Sequence, residues 1–189
     1  MKTLILASQS PRRKELLERC GIPFETMPAD INESIDTDQQ LEKEIERLSY
    51  EKAKHIFSLR PDAVVIGSDT IVAVDGKPLG KPHDRQTAEH MLKSIQGRSH
   101  HVITGLAILS AKRTYMTHET AEVTFASMDE AEIARYIDTG ECFDKAGAYG
   151  IQGYGGRYIS QIHGDYYAIM GLPLHLVYEE LKNYSLSLY

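Results

Sequence analysis

The sequence predicts an α/β fold, because short strand-like segments alternate with longer helix-like segments along its 189 residues. The strand-like segments are apolar and rich in β-branched residues, and residues 63–72 are the clearest example. In the helix-like segments apolar residues recur three and four positions apart, as Leu41, Ile45 and Leu48 do. The 42% of hydrophobic and 25% of charged residues are typical of a globular protein, and the chain is long enough to bury a core.

The first part of the chain predicts strands at residues 3–7, 24–27 and 63–72, separated by two helices. The first helix has Ser10 as a favourable N-cap and Pro11 at its first position, and Gly21 is a typical stop signal. The second helix runs from residue 37 or 38 to about residue 57, with a buried stripe of Leu41, Ile45, Leu48 and Ile56.

The second part predicts a β-hairpin on the Asp75-Gly76 turn and a helix that Asp84 caps and Gly97 stops. Four further strands and two helices complete the prediction: strands 99–109, 114–126, 157–163 and 166–170, a helix after a capping box at 127–130, and a closing helix from 172–173. His100 and His101 are adjacent in a strand and point to opposite faces, so we interpret both as structural rather than metal-binding.

Composition excludes several classes of protein. A net charge of −6 argues against non-specific nucleic-acid binding, which requires a positive field. No apolar run approaches the roughly 20 residues of a membrane span, and the apolar part of residues 1–8 is too short for a signal peptide. Cys20 and Cys142 form no C-x-x-C pair, so we interpret both as structural thiols. We therefore expect a cytoplasmic protein without nucleic-acid or membrane partners.

Asp69 stands out because it lies in the middle of the apolar strand at residues 63–72. A carboxylate in such surroundings costs several kcal/mol unless a cation, a metal ion or hydrogen-bond donors accompany it. The alternative is that the strand has ended and that Asp69 caps a turn.

Arg12 and Arg13 fall in the first turn of a helix, where basic residues oppose the helix dipole. Such a violation of local rules is most common at functional sites, and a helix N-terminus attracts anions. The alternative is that both are solvated surface arginines.

Three further charged residues are candidates for a polar site. Lys52 falls within the apolar stripe of the long helix, whereas Lys54 points to the opposite face. The Lys52 side chain either extends to solvent along its methylenes or places its ammonium group on a buried anion. Lys81 follows the predicted hairpin and is stiffened by Pro82, and Glu33 lies in a polar loop, where a carboxylate is ordinarily solvated.

Two glycine-containing passages do not match known nucleotide-binding motifs. The glycines between Gly76 and Lys81 are too closely spaced for a P-loop, and Pro82 replaces the Ser or Thr that would hold magnesium. Residues 144–156 contain five glycines but no G-x-G-x-x-G pattern within a strand–turn–helix unit. These glycines let the backbone approach a ligand closely, and the Gln152 amide could bind a planar ring.

Together, these cations and carboxylates suggest metal-assisted phosphoryl chemistry. Cations and a metal would neutralise the charge of a polyphosphate, and a carboxylate would activate water. The residues alone leave kinase, phosphatase and pyrophosphatase open.

The sequence resembles the Maf family of nucleoside triphosphate pyrophosphatases, from Leu4 to about Leu181. Four blocks carry the resemblance: Ser8-x-Ser10-Pro11-Arg12-Arg13, Gly67-Ser68-Asp69-Thr70, Gly80-Lys81-Pro82 and the run at residues 144–153. The resemblance implies an elongated mixed sheet with flanking helices, related to the inosine triphosphatases. It also implies a single domain over residues 1–189 with two lobes around a central cleft, and that a homodimer can form.

By resemblance, Asp69 matches the proton acceptor of the family, and Arg12, Thr70 and Gln152 match the positions that set base choice. Glu33 and Asp69 are the implied ligands of a divalent cation, Mg²⁺ or Mn²⁺. The other implied substrate-binding residues are Ser8, Arg13, Lys52, Lys81, Asp144 and Lys145.

The Thr after Asp69 and the Tyr-Gly-Ile-Gln run that ends at Gln152 resemble the dTTP/UTP subgroup of the family. The implied reaction releases pyrophosphate from dTTP, UTP or modified pyrimidine nucleotides. A pyrophosphatase of the 7-methyl-GTP type and a non-catalytic nucleotide-binding regulator of cell division are the alternatives.

Overall fold

The structure is a computed structural model that describes residues 2–186. These residues divide into two compact units. The first unit comprises the described residues within Met1–Asp69, Thr104–Glu119 and Gly171–Tyr189. The second unit comprises Thr70–Ile103 and Thr120–Met170. The lobes and cleft implied by resemblance stay a prediction.

The described residues form one seven-stranded sheet with the order β2-β1-β3-β5-β6-β7, in which β4 also pairs with β3. The strands are β1 (Leu4–Leu6), β2 (Phe24–Thr26), β3 (Val64–Val74), β4 (Lys77–Leu79), β5 (Ser99–Ser110), β6 (Arg113–Phe125) and β7 (Ile159–His163). Parallel and antiparallel pairs both occur. The predicted mixed α/β fold is therefore confirmed.

Six α-helices accompany the strands within residues 2–186. They are α1 (Pro11–Glu18), α2 (Leu41–Leu59), α3 (Arg85–Ile95), α4 (Glu130–Asp138), α5 (Tyr166–Met170) and α6 (Leu174–Leu181). Three short 3₁₀ turns, Glu141–Asp144, Ala146–Ala148 and Tyr154–Tyr158, lie between α4 and β7. None of the helices in this part of the chain is long and apolar enough to cross a membrane.

In the first unit, β1 pairs in parallel with both β2 and β3, and its residues Leu4–Leu6 are all buried. A strand that is covered on both faces reads as a continuous apolar run, which explains the pattern of β1 and of the first half of β3. Helix α2 places its predicted apolar stripe in the core, since Leu41, Ile45, Leu48 and Ile56 are all buried. Lys52 is buried on this same face, and Lys54 is exposed, as the helical spacing predicts.

In the second unit, the hairpin between β3 and β4 turns at Asp75 and Gly76, which both have positive φ. This Asp-Gly turn was predicted, because such turns match the twist of the strands. His100 is buried and bonds the Tyr149 hydroxyl at 2.8 Å, whereas His101 is exposed. Burial lowers the pKa of His100 to about 4, which fits the structural role predicted for it.

Three local predictions were wrong. Helix α2 begins at Leu41 rather than at residue 37 or 38, because Asp36 accepts hydrogen bonds from the backbone of residues 38 and 39 and holds them in a turn. The capping box of α4 uses Asp129 and Glu132, two residues after the predicted box. Met128 precedes the helix because it is buried and its N–H donates to Gln96.

The third error is the strand predicted at residues 166–170, which is helix α5. Its tyrosines and isoleucine favour strands. The carboxylate of Asp165, however, accepts the N–H of Tyr167, and its carbonyl accepts the N–H of Ile169, so that Asp165 starts a helical turn. Local capping therefore overrides the strand propensity here.

Candidate active site

The loop between β1 and α1 fixes the side chain of Arg13. Ser10 caps α1 as predicted, and its hydroxyl accepts the N–H of Arg13. The Arg13 guanidinium donates through Nε to the carbonyl of Gly171 at 2.8 Å and through Nη1 to the Ser8 hydroxyl at 3.4 Å. Arg13 is thus anchored at both ends of its guanidinium, unlike a solvated surface arginine.

Arg13 faces the carboxylate of Asp69. Its Nη2 lies 3.6 Å from an Asp69 oxygen, and both side chains are largely buried, at 12% and 16% exposure. Burial lowers the pKa of the Arg13 guanidinium, and the negative charge of Asp69 opposes that shift. The pair therefore places a charged donor beside a carboxylate in surroundings where water screens their interaction weakly.

The position of Asp69 in β3 depends on Ser49 of helix α2. The Ser49 hydroxyl accepts the backbone N–H of Asp69 at 3.0 Å and donates to the carbonyl of Ile45 at 2.7 Å. Two glycines allow the helix to approach this closely: a Cβ on Gly67 would lie 2.7 Å from the Ala53 nitrogen, and one on Gly105 would lie 2.5 Å from the Ser49 hydroxyl. The glycine before Ser68-Asp69 is thus a packing requirement.

Ser68 secures the opposite face of the same strand, since successive strand residues alternate in direction. Its hydroxyl is buried and lies 2.8 Å from the carbonyl of Gly105 and 3.0 Å from that of Gly171. Gly171 also accepts from Arg13, so one carbonyl joins the β1–α1 segment to β3. The glycine at 171 has φ +112°, a backbone conformation that other residues rarely adopt.

Lys52 links two carboxylates. Its ammonium nitrogen lies 2.9 Å from Glu33 and 3.2 Å from Asp69, and its side chain is only 7% exposed. The Lys52 side chain is therefore turned inward to an anion rather than extended to solvent. The structure brings together four of the predicted site residues in this cluster: Arg13, Glu33, Lys52 and Asp69.

Glu33 lies in an irregular loop that two other residues hold in place. The Glu44 carboxylate accepts the N–H of Asp36 at 3.0 Å and pairs with Arg47 at 2.7 Å. Arg47 in turn donates to the carbonyl of Ser34 at 3.0 Å. The Arg47 hydrogen bond, together with the Asp36 N–H, lowers the pKa of Glu44 to about 2. Sequence reasoning missed Glu44 and Arg47, although their spacing of three residues on a helix is a typical ion-pair signal.

The remaining predicted residues of the first unit are Ser8 and Arg12. Ser8 is buried, and its hydroxyl accepts from the N–H of Ser10 as well as from Arg13. Arg12 is half-buried at the second position of α1. Both therefore lie on the segment that also carries Arg13.

The other predicted site residues belong to the second unit: Thr70, Lys81, Asp144, Lys145 and Gln152. Lys81 and Gln152 are exposed, and Asp144 pairs with the ammonium group of Lys145. The segment before Lys81 is tied to the glycine-rich passage, because the N–H of Gly147 donates to the carbonyl of Gly80 at 3.0 Å.

Glu33 and Asp69 are the pair of oxygen ligands that could hold a divalent cation. Within residues 2–186 no group of three or more His, Cys, Asp or Glu side chains is arranged to hold a metal ion. Magnesium is commonly bound through only one or two carboxylates, with water and phosphate oxygens completing its coordination. Two carboxylates that share one ammonium group fit this donor set.

Comparison with known families matches residues 3–184 to the family described as Maf-like protein. Three similar proteins are each named dTTP/UTP pyrophosphatase. Those of Bacillus pumilus and Bacillus velezensis are 44% and 46% identical, over 99% and 98% of both chains. That of Symbiobacterium thermophilum is 45% identical, over 100% of this chain and 97% of its own. A family match over nearly the whole chain agrees with the resemblance read from its motifs, and the protein belongs to the Maf-like family.

Proposed function

We propose that this protein hydrolyses dTTP and UTP, and modified pyrimidine triphosphates of the same kind, to the nucleoside monophosphate and pyrophosphate. Relatives named dTTP/UTP pyrophosphatase match it over its full length at 44–46% identity. The observation that carries the proposal is the largely buried carboxylate of Asp69 between the cations of Arg13 and Lys52.

In the proposed reaction, the oxygen of a water molecule attacks the α-phosphorus, and the bond from this phosphorus to the α,β-bridging oxygen breaks. Asp69 accepts the proton of the attacking water, and pyrophosphate leaves with the bridging oxygen. A general base must lie within hydrogen-bond reach of its proton in a fixed orientation. The hydrogen bond that the Asp69 N–H donates to Ser49 and the ion pairs with Arg13 and Lys52 supply this orientation.

Arg13, Lys52 and Lys81 are the cations that we assign to the phosphates. Negative charge grows on the leaving pyrophosphate in the transition state, and fixed positive groups stabilise it more than mobile ones do. Arg13 is fixed by Gly171 and Ser8, so no reorganisation is needed when the charge develops. Ser8, Asp144 and Lys145 complete the proposed substrate-binding set.

Glu33 and Asp69 are the residues that would hold Mg²⁺ or Mn²⁺, which when bound neutralises phosphate charge and makes water more acidic. Lys52 contacts both carboxylates, so these side chains already converge on one cation.

Gln152, Arg12 and Thr70 are the residues that we assign to base choice. An amide can donate to the ring carbonyl at C4 of thymine or uracil and accept from the ring N–H at N3. Cytosine has the opposite pattern, because its N3 is an acceptor and its amino group at C4 is a donor. The side chain of Gln152 is exposed and therefore accessible to a base.

A cytoplasmic setting and a homodimer also stay predictions.

The test is pyrophosphate release from a panel of triphosphates, including dTTP, UTP, CTP, GTP, 7-methyl-GTP and 5-modified UTP. We expect dTTP and UTP to have the highest kcat/KM of the unmodified nucleotides. Preference for 7-methyl-GTP would place the protein in the other subgroup. Nucleotide binding in calorimetry without pyrophosphate release would contradict the proposal and favour the non-catalytic regulator.

A further inference from the structure

Glu141 lies at the centre of a hydrogen-bond network in the second unit, outside the set of residues assigned above. It begins the 3₁₀ turn after α4, and its carboxylate is half-buried. One oxygen accepts from the Tyr136 hydroxyl at 2.8 Å and from the Gly155 N–H at 3.0 Å. The other accepts from the Tyr154 N–H at 2.7 Å. One carboxylate thus receives three donors, two of them backbone groups of the glycine-rich loop.

The loop at residues 150–156 wraps closely around this carboxylate. A Cβ on Gly153 would lie 2.6 Å from the Glu141 Cδ, and one on Gly150 would lie 3.2 Å from an oxygen of Glu141. A side chain at position 153 would therefore collide with Glu141, and one at position 150 would require Glu141 to shift by a few tenths of an ångström. Glycine residues have more backbone freedom than other residues, so this loop needs contacts with residues outside it to keep one conformation.

Tyr136 extends the network to the start of the loop. Its hydroxyl donates to Glu141 and accepts the N–H of Gly150 at 3.2 Å. Tyr136 is buried in the core of the second unit, so it connects the glycine-rich loop to that core. Hydrogen bonds in such a chain polarise and strengthen one another.

The carboxylate is held in its charged form. Burial opposes ionisation, but the bonds from Gly155, Tyr136 and Tyr154 outweigh it, and the pKa of Glu141 lies below its ordinary value. Burial, with the adjacent Glu141 charge, raises the pKa of Tyr136, so its hydroxyl keeps the proton that it donates. Three donors therefore meet a full negative charge, and such hydrogen bonds are about twice as strong as neutral ones.

Gln152 lies between the anchored positions of this loop. Its side chain is exposed, and the backbone on either side sets the position of the Cα–Cβ bond from which this side chain extends. That backbone is fixed through Gly150 before it and Tyr154 and Gly155 after it. Lys145 contacts Glu141 itself, because its ammonium group donates to the Glu141 carbonyl at 3.3 Å.

We propose that Glu141 is a positioning residue that, with Tyr136, holds the loop at residues 150–156 in the conformation in which Gln152 distinguishes uracil and thymine from cytosine. The inference rests on the proposed function, because it requires that Gln152 contacts the base. It adds that specificity depends on a carboxylate that does not itself touch the substrate.

The test compares Glu141→Gln with Glu180→Gln. Glutamine keeps the shape of Glu141 but turns one acceptor into a donor that faces the loop N–H groups. Glu180 is the matched control, since it is a buried carboxylate of the first unit that accepts from Arg113 and Tyr184. In Glu141→Gln the ratio of kcat/KM for UTP to that for CTP is expected to fall about tenfold, mainly through KM for UTP. Glu180→Gln is expected to leave the ratio unchanged.

A second variant and a measurement that does not depend on turnover extend the test. Tyr136→Phe removes one donor and one acceptor of the network, and we expect an intermediate loss of the same ratio. Hydrogen exchange at the amides of Tyr154 and Gly155 is expected to accelerate in Glu141→Gln but not in Glu180→Gln. Gln152→Ala provides the reference for loss of the base discrimination that the Gln152 side chain contributes.

The outcomes separate the two proposals. If the wild-type protein releases no pyrophosphate, the proposed function fails, and Kd values for the α,β-methylene analogues of UTP and CTP then test Glu141 directly. If Glu141→Gln lowers Tm as Glu180→Gln does but leaves the UTP-to-CTP ratio of kcat/KM or Kd unchanged, Glu141 is merely structural and the inference is overturned.

Discussion

The ammonium nitrogen of Lys52 lies 3.2 Å from a carboxylate oxygen of Asp69, and the Lys52 side chain is only 7% exposed. The same nitrogen lies 2.9 Å from Glu33. Lys52 therefore occupies the point at which the two proposed metal ligands converge. In the absence of nucleotide, an ammonium group and a divalent cation would compete for the same two carboxylates.

Replacing Lys52 by Met is therefore expected to change metal binding and turnover in opposite directions. Without nucleotide, the affinity for Mn²⁺ should rise by about tenfold, because a positive charge next to the metal ligands is removed. Pyrophosphate release should fall by about a hundredfold or more, because a cation that we assign to the leaving group is lost. Calorimetry with Mn²⁺ and a pyrophosphate-release assay measure the two effects.

Lys54→Met is the control for this prediction, because Lys54 is exposed on the opposite face of α2. It should alter neither quantity. An unchanged Mn²⁺ affinity in Lys52→Met would show that the two cations do not share these ligands.

Replacing Asp69 by Asn is expected to lower kcat by about a thousandfold while the protein stays folded, because the amide cannot accept a proton at neutral pH. Pyrophosphate release and Tm are the measurements. Asp62→Asn is the matched control, since Asp62 is exposed at the surface near Arg60. Substantial turnover by Asp69→Asn would remove this carboxylate from the reaction.

Local sequence patterns were sufficient to predict the helices and the strand on which the site residues lie. The inward direction of Lys52 follows from helical spacing, and the cap at Ser10 follows from its position before Pro11. The central strand was predicted from a β-branched apolar run, because such a run buries both of its faces. These features depend on residues that are close together in the sequence.

Sequence patterns did not predict the contacts between residues that are distant in the sequence. Arg13 is anchored by a carbonyl 158 residues away, and Asp69 by a hydroxyl 20 residues away. Nothing local indicates that Glu33 meets Lys52, because its loop is shaped by Glu44 and by long-range packing. The roles of the site residues stay predictions.

Replacing Ser49 by Ala is expected to reduce both stability and activity. The substitution removes the acceptor for the Asp69 N–H inside a tightly packed contact, and such a loss costs about 1–3 kcal/mol of unfolding free energy. A shift of Asp69 should also lower kcat by about tenfold, because a general base must be closely oriented. Urea unfolding and pyrophosphate release measure these effects.

Ser94→Ala is the matched control for Ser49→Ala. Its hydroxyl also donates to a carbonyl of its own helix, that of Met91, but it is not bonded to a residue of the proposed site. It should change the unfolding free energy by no more than about 0.5 kcal/mol and leave kcat unaltered. Equal effects of the two substitutions on kcat would argue against a positioning role for Ser49.

The hydrogen bonds of Glu44 predict an acid-sensitive contribution to stability. The Arg47 bond and the Asp36 N–H lower the pKa of Glu44 from 4.5 to about 2 in the folded protein. Because the folded pKa lies below the unfolded one, this contribution is fully present above about pH 4.5 and is lost as the pH falls towards 2. Glu44→Gln should therefore unfold more easily than the wild type at pH 7, and the difference should shrink below pH 4.5. Urea unfolding of both proteins between pH 7 and pH 3 measures it, and a difference that is constant over this range would contradict the assigned pKa.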